Sequence, residues 1–302
     1  MTTNDFMAGV GQISVTGSWL KTAQLADEWN VDLEDPAACV KELSGANLKA
    51  DLFSFWQRPP HTEARFGYYH EWDPVAALPI STYEHWLKKQ LNSKTRNMLT
   101  RAEKKGVVVR PASFDDEFIR GMVAIFNEAP VRQGRPFWHY GKDFETVKRE
   151  FSRYLFREEL FGAYLENELI GFIFLINGGK HIAMLGQIIS MIQHRDKSPN
   201  NALIAKAVEV CAARQTPFLV YAGWPAPGSL RDFKKHNGFE CMPVPRYYVP
   251  LTLKGALALR LKLHRGASAR IPESVLSRFK ALRSQFYSWR NKASTPAEDI
   301  SR

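Results

Sequence analysis

Leu160-Phe161-Gly162-Ala163-Tyr164-Leu165, Glu166-Asn167-Glu168 and Leu169-Ile170-Gly171-Phe172-Ile173-Phe174-Leu175-Ile176 form the stretch whose reading decides the fold. Two apolar runs around a short polar turn make a hairpin pattern. Working outward, a third strand-like run covers residues 179–190, and the polar loop 193–199 follows it. An Asn-led helix is expected over residues 200–214, with Asn200 and Asn201 at its start, then a buried strand over Phe218–Gly223. A helix over 229–237 leads through Gly238-Phe239 into a last pair of strands. Meander, loop, helix, strand, helix and strand predict an α/β fold with a mixed central sheet.

Upstream, short helices are expected over residues 19–29 and 36–43, the second capped by Asp35. Strands are expected over Leu52–Trp56 and residues 65–69, around the turn Arg58-Pro59-Pro60-His61. From Ser81, with Glu84 three residues on as a capping box, one helix is expected to run to Lys105, with Tyr83, Trp86, Leu87 and Leu91 on its apolar face. Its second half is basic, through Lys94, Arg96, Arg101, Lys104 and Lys105, and Gly106 ends it. A strand over 107–110 and a helix over 115–127 follow.

This succession resembles the acyltransferase half of the GNAT superfamily. The segment Leu230-Arg231-Asp232-Phe233-Lys234-Lys235-His236-Asn237-Gly238-Phe239-Glu240 looks like the Phe-Lys-x-x-x-Gly-Phe segment of its Fem-type and leucyl-tRNA transferase-like branch. The basic helix ahead of a Val-rich strand is similar to the same branch, so the resemblance covers roughly residues 81–248. It implies a GNAT-like domain over 81–251, with 1–80 as an N-terminal extension or partial second half and 252–302 as a basic C-terminal segment. GNAT enzymes hold the acyl-coenzyme A pyrophosphate on a glycine-rich loop at a helix N-terminus. Residues 193–201 contain no glycine, which favours the Fem-type donor, an aminoacyl-tRNA, over acyl-coenzyme A. Arg195, Lys197, Asn200 and Asn201 are the candidate donor contacts there.

Residues 127–142 form the densest polar and aromatic cluster. Long irregular loops in compact domains are often functional. Glu128 is the candidate base, and Arg132, Gln133, Arg135, His139 and Tyr140 are candidate acceptor contacts, arginines suiting phosphate or carboxylate. An ordered surface loop pinned by Phe137 and Trp138 is the plainer reading. By the resemblance, Gln187 and Tyr221 fall on the two splayed central strands, with Tyr221 as candidate general acid or core tyrosine, and Lys234 as a substrate contact. The sequence carries no zinc-like His/Cys spacing, phosphate-binding Gly-x-x-x-x-Gly-Lys loop or Gly-x-Ser-x-Gly elbow, so no metal is expected.

With 302 residues, 45% of them hydrophobic and 24% charged, the chain has room for a sizeable core. No apolar run reaches membrane-spanning length and residues 1–18 lack a signal-peptide pattern, so a cytoplasmic protein is expected. Cys39, Cys211 and Cys241 read as reduced packing residues. Residues 254–292 hold ten basic residues against Glu273 alone, so about nine of the net +10 charges sit there. Val275, Phe279, Leu282, Phe286 and Trp289 form a helical stripe, whereas Leu257, Leu259, Leu261 and Leu263 alternate as in a strand. All the residues in that alternating stretch are good helix formers, so both readings stand for it. This segment either packs on its own domain, attaches to an anionic membrane surface on the inner face, or meets RNA, a tRNA donor included. The expected function is acyl or aminoacyl transfer to an amine of a cell-envelope or polysaccharide precursor. A catalytically degenerate scaffold and an RNA-binding protein are the alternatives.

Overall fold

The computed structural model describes residues 6–265, apart from 9–10, 27, 29–32, 47, 153–154, 156–157, 180 and 225–227. An antiparallel meander, β1 (Phe6–Ala8), β2 (Gly11–Thr16) and β3 (Thr22–Leu25), opens the chain. The helix expected over 19–29 does not form in its described part. Ala23 and Leu25 point into a core cluster while Thr22 and Gln24 turn outward, a period of two. Helix α1 (Pro36–Gly45) is capped as expected, the Asp35 carboxylate accepting from the Ala38 amide at 2.9 Å.

Strand β4 (Leu52–Trp56) returns parallel to β3, and β5 (Tyr69–Pro79) starts where the expected 65–69 strand would end. Residues 65 and 66 stay out of the ladder because their amides donate to the Tyr247 hydroxyl at 2.9 and 3.3 Å. The single helix expected over 81–105 is broken. Thr82, not Ser81, caps α2 (Tyr83–His85), which runs into a wide π turn, Trp86–Gln90. Asn92 caps a fresh helix, α3 (Ser93–Lys104), by accepting from the Thr95 amide at 2.8 Å. The π turn seats Trp86 fully inside, its Nε1 donating to the Asn237 carbonyl at 3.0 Å.

Next come β6 (Val108–Ala112), α4 (Asp116–Asn127), the small hairpin β7 (Val131–Arg132) and β8 (Arg135–Pro136), and α5 (Phe144–Phe151). The predicted meander is present as β9 (Glu158–Leu165), β10 (Glu168–Asn177) and β11 (Ile182–Ser190). Glu166 and Asn167 turn its first hairpin with φ of 49° and 72°, the mirror-image turn that suits twisted strands. Helix α6 (Pro199–Ala213) starts at Ser198, itself left-handed at φ 56°, so Asn200 lies inside the helix rather than capping it. Then follow β12 (Phe218–Gly223), α7 (Gly228–His236), β13 (Glu240–Pro250) and α8 (Leu253–Arg260). The expected last strand pair is one long strand, β13, and the alternating leucines lie in and just after α8. Leu, Ala and Arg are strong helix formers, and Thr252 caps the helix through the Gly255 amide at 3.0 Å. The stripe 275–289 lies outside the described residues.

All the strands but β7 and β8 form one eleven-stranded mixed sheet, ordered β1-β2-β3-β4-β13-β5-β12-β11-β10-β9-β6. A motif occurs twice: a meander, a helix and a strand parallel to the last meander strand, first as β1–β4 with α1, then as β9–β12 with α6. Each unit passes its next strand across the middle. Strand β5 follows β4 but pairs with β12, and β13 follows α7 but pairs with β4, the two also pairing with each other. Helices cover both faces of the second unit. Along β10, Ile173 and Leu175 enter the cluster under α6, while Phe172 and Phe174 enter the one under α4. That is why its sequence is continuously apolar instead of alternating. No helix among the described residues is long and apolar enough to cross a membrane.

Candidate functional site

Strands β11 and β12 pair in parallel only through Ile182↔Phe218, Ala183↔Leu219 and Met184↔Val220, then diverge. The wedge so formed is the geometric centre of the second unit. On its β11 wall the pairing with β10 slips between Phe174 and Leu175, so Gly186 is the extra residue of a bulge directly before Gln187. A bulge disrupts the ladder locally and re-aims backbone groups. On the β12 wall Tyr221 follows the last paired residue, and Ala222 takes a positive φ of 50°.

Lys234 reaches this wedge from α7. Its side chain is 2% exposed, donates from Nζ to the Gly223 carbonyl at 2.7 Å, and lies 4.7 Å from the centre of the Tyr221 ring. No ion pair of Lys234 is found among the described residues, and burial lowers its pKa to about 8. The same seclusion pushes Tyr221 up to about 12, so its hydroxyl stays protonated. The Phe-Lys-x-x-x-Gly-Phe segment has a physical reason here. Gly238, at φ 88°, closes α7, the Phe239 amide returning to the Lys234 carbonyl at 3.0 Å. Phe239 then packs edge-on to Tyr221, centroids 5.8 Å apart, which fixes the helix that carries the lysine.

The loop between β11 and α6 borders the wedge. Its amides are largely engaged: Ile192 and Gln193 donate to Glu128, Arg195 to Ile192, Lys197 to His194, and Ser198 to Arg195. The Asn201 and Ala202 amides both return to Ser198, and Pro199 has none. Both ring nitrogens of His194 and the Asn200 Oδ1 are buried without a partner among the described residues. Such atoms take their hydrogen bonds from ordered water or from a bound ligand. Asn201 instead donates from Nδ2 to Asn237 Oδ1 at 3.1 Å, strapping α6 to α7 through the residue that also holds Trp86.

Glu128 lies at the end of α4, and both its oxygens are occupied. Oε1 accepts from the Gln193 amide at 2.8 Å; Oε2 accepts from the Ile192 amide at 2.6 Å and from Arg132 at 3.0 Å. Arg132 also donates to the Ser190 and Ile125 carbonyls at 2.8 and 2.7 Å. The pair is a latch that ties the end of β11 and the following loop to α4. Gln133 and Gly134 form the positive-φ tip of the β7–β8 hairpin, and Arg135 and Tyr140 are exposed on the same segment. His139 is buried, stacked on Phe126 at 4.4 Å, and desolvation lowers its pKa to about 4, so it is a neutral packing ring.

Sequence reasoning thus placed Gln187, Tyr221 and Lys234, which the structure gathers at the wedge, and Arg195, Lys197, Asn200 and Asn201, which it places on the adjoining loop and helix start. Gln133, Arg135 and Tyr140 sit apart on the hairpin segment. The Gly186 bulge and the Trp86–Asn237–Asn201 strap were missed; a lone glycine inside an apolar strand was the available signal for the first. Arg96, Arg101, Lys104 and Lys105 lie on or just after α3, which packs against the Arg195–Lys197 turn and so extends the basic rim. Among the described residues no group of three or more His, Cys, Asp or Glu is placed to hold a metal ion. Cys39 and Cys211 are buried, as packing residues are, but Cys241 is exposed.

No protein-family model matches the chain, and no curated protein matches it significantly. Solved structures do match over most of its length. The structure of L-PGS from Bacillus licheniformis aligns with TM-score 0.53 at 15% identity, covering 86% of this chain and 88% of that one. The C-terminal domain of a protein from Agrobacterium fabrum assigned as a lysylphosphatidylglycerol synthetase aligns at 0.56 and 15%, covering 85% and 86%. FemX aligns at 0.50 and 11%, covering 85% and 90%. The chain therefore has a GNAT-like fold of the Fem type, in agreement with the sequence.

Proposed function

We propose that the chain is an aminoacyltransferase that moves the acyl group of an aminoacyl-tRNA onto an amine of a cell-envelope precursor. The observation that carries this reading is Lys234, a secluded ammonium with one carbonyl partner, set at the mouth of the β11–β12 wedge. A buried cation without a carboxylate is costly unless it serves developing negative charge. An ammonium has three donors and Gly223 uses one, which leaves two for an oxyanion.

In the wedge the acceptor amine attacks the ester carbonyl carbon and forms the C–N bond. The carbonyl oxygen gains the electron pair as an oxyanion beside Lys234 and the backbone at the Gly186 bulge. When the intermediate collapses, the ester C–O bond breaks and the departing ribose oxygen takes a proton from the Tyr221 hydroxyl. The proton shed by the amine restores Tyr221. Glu128, fully engaged in its latch, holds the loop in place instead of acting as base.

The loop supports the aminoacyl-tRNA donor. Most of its amides are engaged by Glu128 or by one another, which leaves little of the cradle that coenzyme A pyrophosphate requires. The basic rim of α3 with Arg195 suits a polynucleotide backbone instead. RNA binding without transfer would leave Lys234 unexplained. The likeness to the Bacillus, Agrobacterium and FemX structures supports the envelope acceptor by analogy of fold.

Two measurements test the reading. Thermal shift of the purified protein should rise with aminoacyl-tRNA and stay flat with acetyl-coenzyme A. Single-turnover transfer should fall about 100- to 1000-fold in Lys234→Ala, the loss typical of a missing oxyanion donor. Stabilisation by acetyl-coenzyme A alone would overturn the donor, and an unchanged rate would remove Lys234 from the chemistry.

A further inference from the structure

Leu253, Leu257 and Leu261 recur at four-residue spacing along α8 and its end, and they are 92%, 57% and 54% exposed. At about 100° per residue they fall within about 80° of the helix surface, with Arg260 at one edge and Lys254 at the other. The opposite face is pressed onto the body. Gly255, Ala258 and Leu259 are buried, and a Cβ on Gly255 would stand 1.9 Å from the Asp51 carbonyl oxygen. The helix therefore cannot roll its leucines inward. Trp19, also exposed, adjoins the stripe: Lys254 donates to its carbonyl and lies 5.2 Å from its ring.

We propose that this face docks onto an anionic lipid surface, with the leucines and Trp19 at the headgroup boundary and the basic edge among the phosphates. An apolar stripe between basic edges is the pattern of an interfacial helix. The charges select the occupant. Asp51 pairs with Lys254, and Glu71 with His264 and Arg265, so among the described residues these two carboxylates beside the stripe are both paired, while Arg260 and Lys262 are exposed. The sequence over residues 266–292 adds Arg270, Arg278, Lys280, Arg283, Arg290 and Lys292 against Glu273. A second copy would set positive edge against positive edge; an anionic bilayer relieves both.

The placement is also apt. Strands β12 and β13 both run antiparallel to β5, so α8 leaves the sheet at the end where the wedge opens. Val75 faces Gly223 and Tyr69 faces Tyr248, which puts α8 about 20 Å further along the strand direction. The docking stands whether or not the wedge transfers an acyl group.

The test is co-sedimentation of the full chain with vesicles of phosphatidylcholine alone or mixed with phosphatidylglycerol. The wild type should pellet with the mixed vesicles, release at high salt, and ignore the neutral ones. The variant Leu253→Ser/Leu257→Ser/Leu261→Ser should keep its melting temperature, since all three side chains are exposed, and lose about tenfold or more in vesicle affinity. Arg260→Glu/Lys262→Glu should weaken only the anionic component. Three results would overturn the proposal: no binding by the wild type, equal binding by the serine variant, or a wild-type dimer in light scattering that the serine variant dissolves.

Discussion

A lysine held away from water, with a carbonyl and an aromatic face for company, adds a pH-dependent contribution that rests on one nitrogen. The ordinary lysine value is 10.5 and burial brings Lys234 to about 8. Between these values this lysine binds a proton in the unfolded chain that it does not bind in the folded one, so its contribution to stability rises with pH across that window. Lys234→Met should remove that contribution, seen as a difference in urea midpoint between wild type and variant that changes from about pH 8 upward. Activity carries the opposite sign. An oxyanion needs the ammonium, so the transfer rate should decline as pH climbs through about 8. A rate that stayed level there would detach Lys234 from the reaction. Tyr221 was legible as the end of a buried strand, and Lys234 as part of a motif. What the sequence hid was the state of Glu128 and His139: residue type suggests chemistry, but only the partners show that one is latched and the other stacked.

At the level of elements, periodicity served well wherever burial is regular. The strands Leu52–Trp56 and Phe218–Gly223 and the β9–β10 hairpin stand where the apolar pattern put them. It failed where hydrogen bonding overrides pattern. The π turn at Trp86–Gln90 has no apolar period of its own, and residues 65–66 look like a strand while their amides serve Tyr247. In and just after α8 the alternating leucines leave strand and helix both open, because Leu257 and Leu261 face solvent while Leu259 is buried. Helix α3 carries the prediction belonging to this scale. Reversing Arg101, Lys104 and Lys105 to Glu should raise the KM for aminoacyl-tRNA at least about tenfold with kcat nearly kept, and flatten its salt dependence. All three are exposed, so the fold should be unaffected. An unchanged KM would take the polynucleotide off this rim.

The exchange of β5 and β13 across the middle of the sheet makes the two units one cooperative body. Neither can open without breaking ladders that belong to the other. Calorimetry should therefore give a single transition. Arg246 sits at the junction, donating to Glu28 at 2.9 and 3.1 Å and to Asp73 at 2.9 Å, largely shielded from water. Arg246→Ala leaves two carboxylates uncompensated and should cost about 3 kcal/mol, moving that one transition without splitting it. Two separate transitions would mean that the interlock is not energetically binding.

The same cluster sets the first unit apart from the second. Strands β3 and β4 also pair in parallel for only a short way, Thr22↔Leu52 and Ala23↔Phe53. Beyond that point Trp56 donates from Nε1 to the Glu28 carbonyl at 2.9 Å, and Arg246 grips the Glu28 carboxylate. The wedge that stands open between β11 and β12 is here stitched shut. Among the described residues the repeated plan thus leaves the second wedge open and the first closed, so donor titrations should saturate at one equivalent per polypeptide, with a hyperbolic isotherm and no communication between halves.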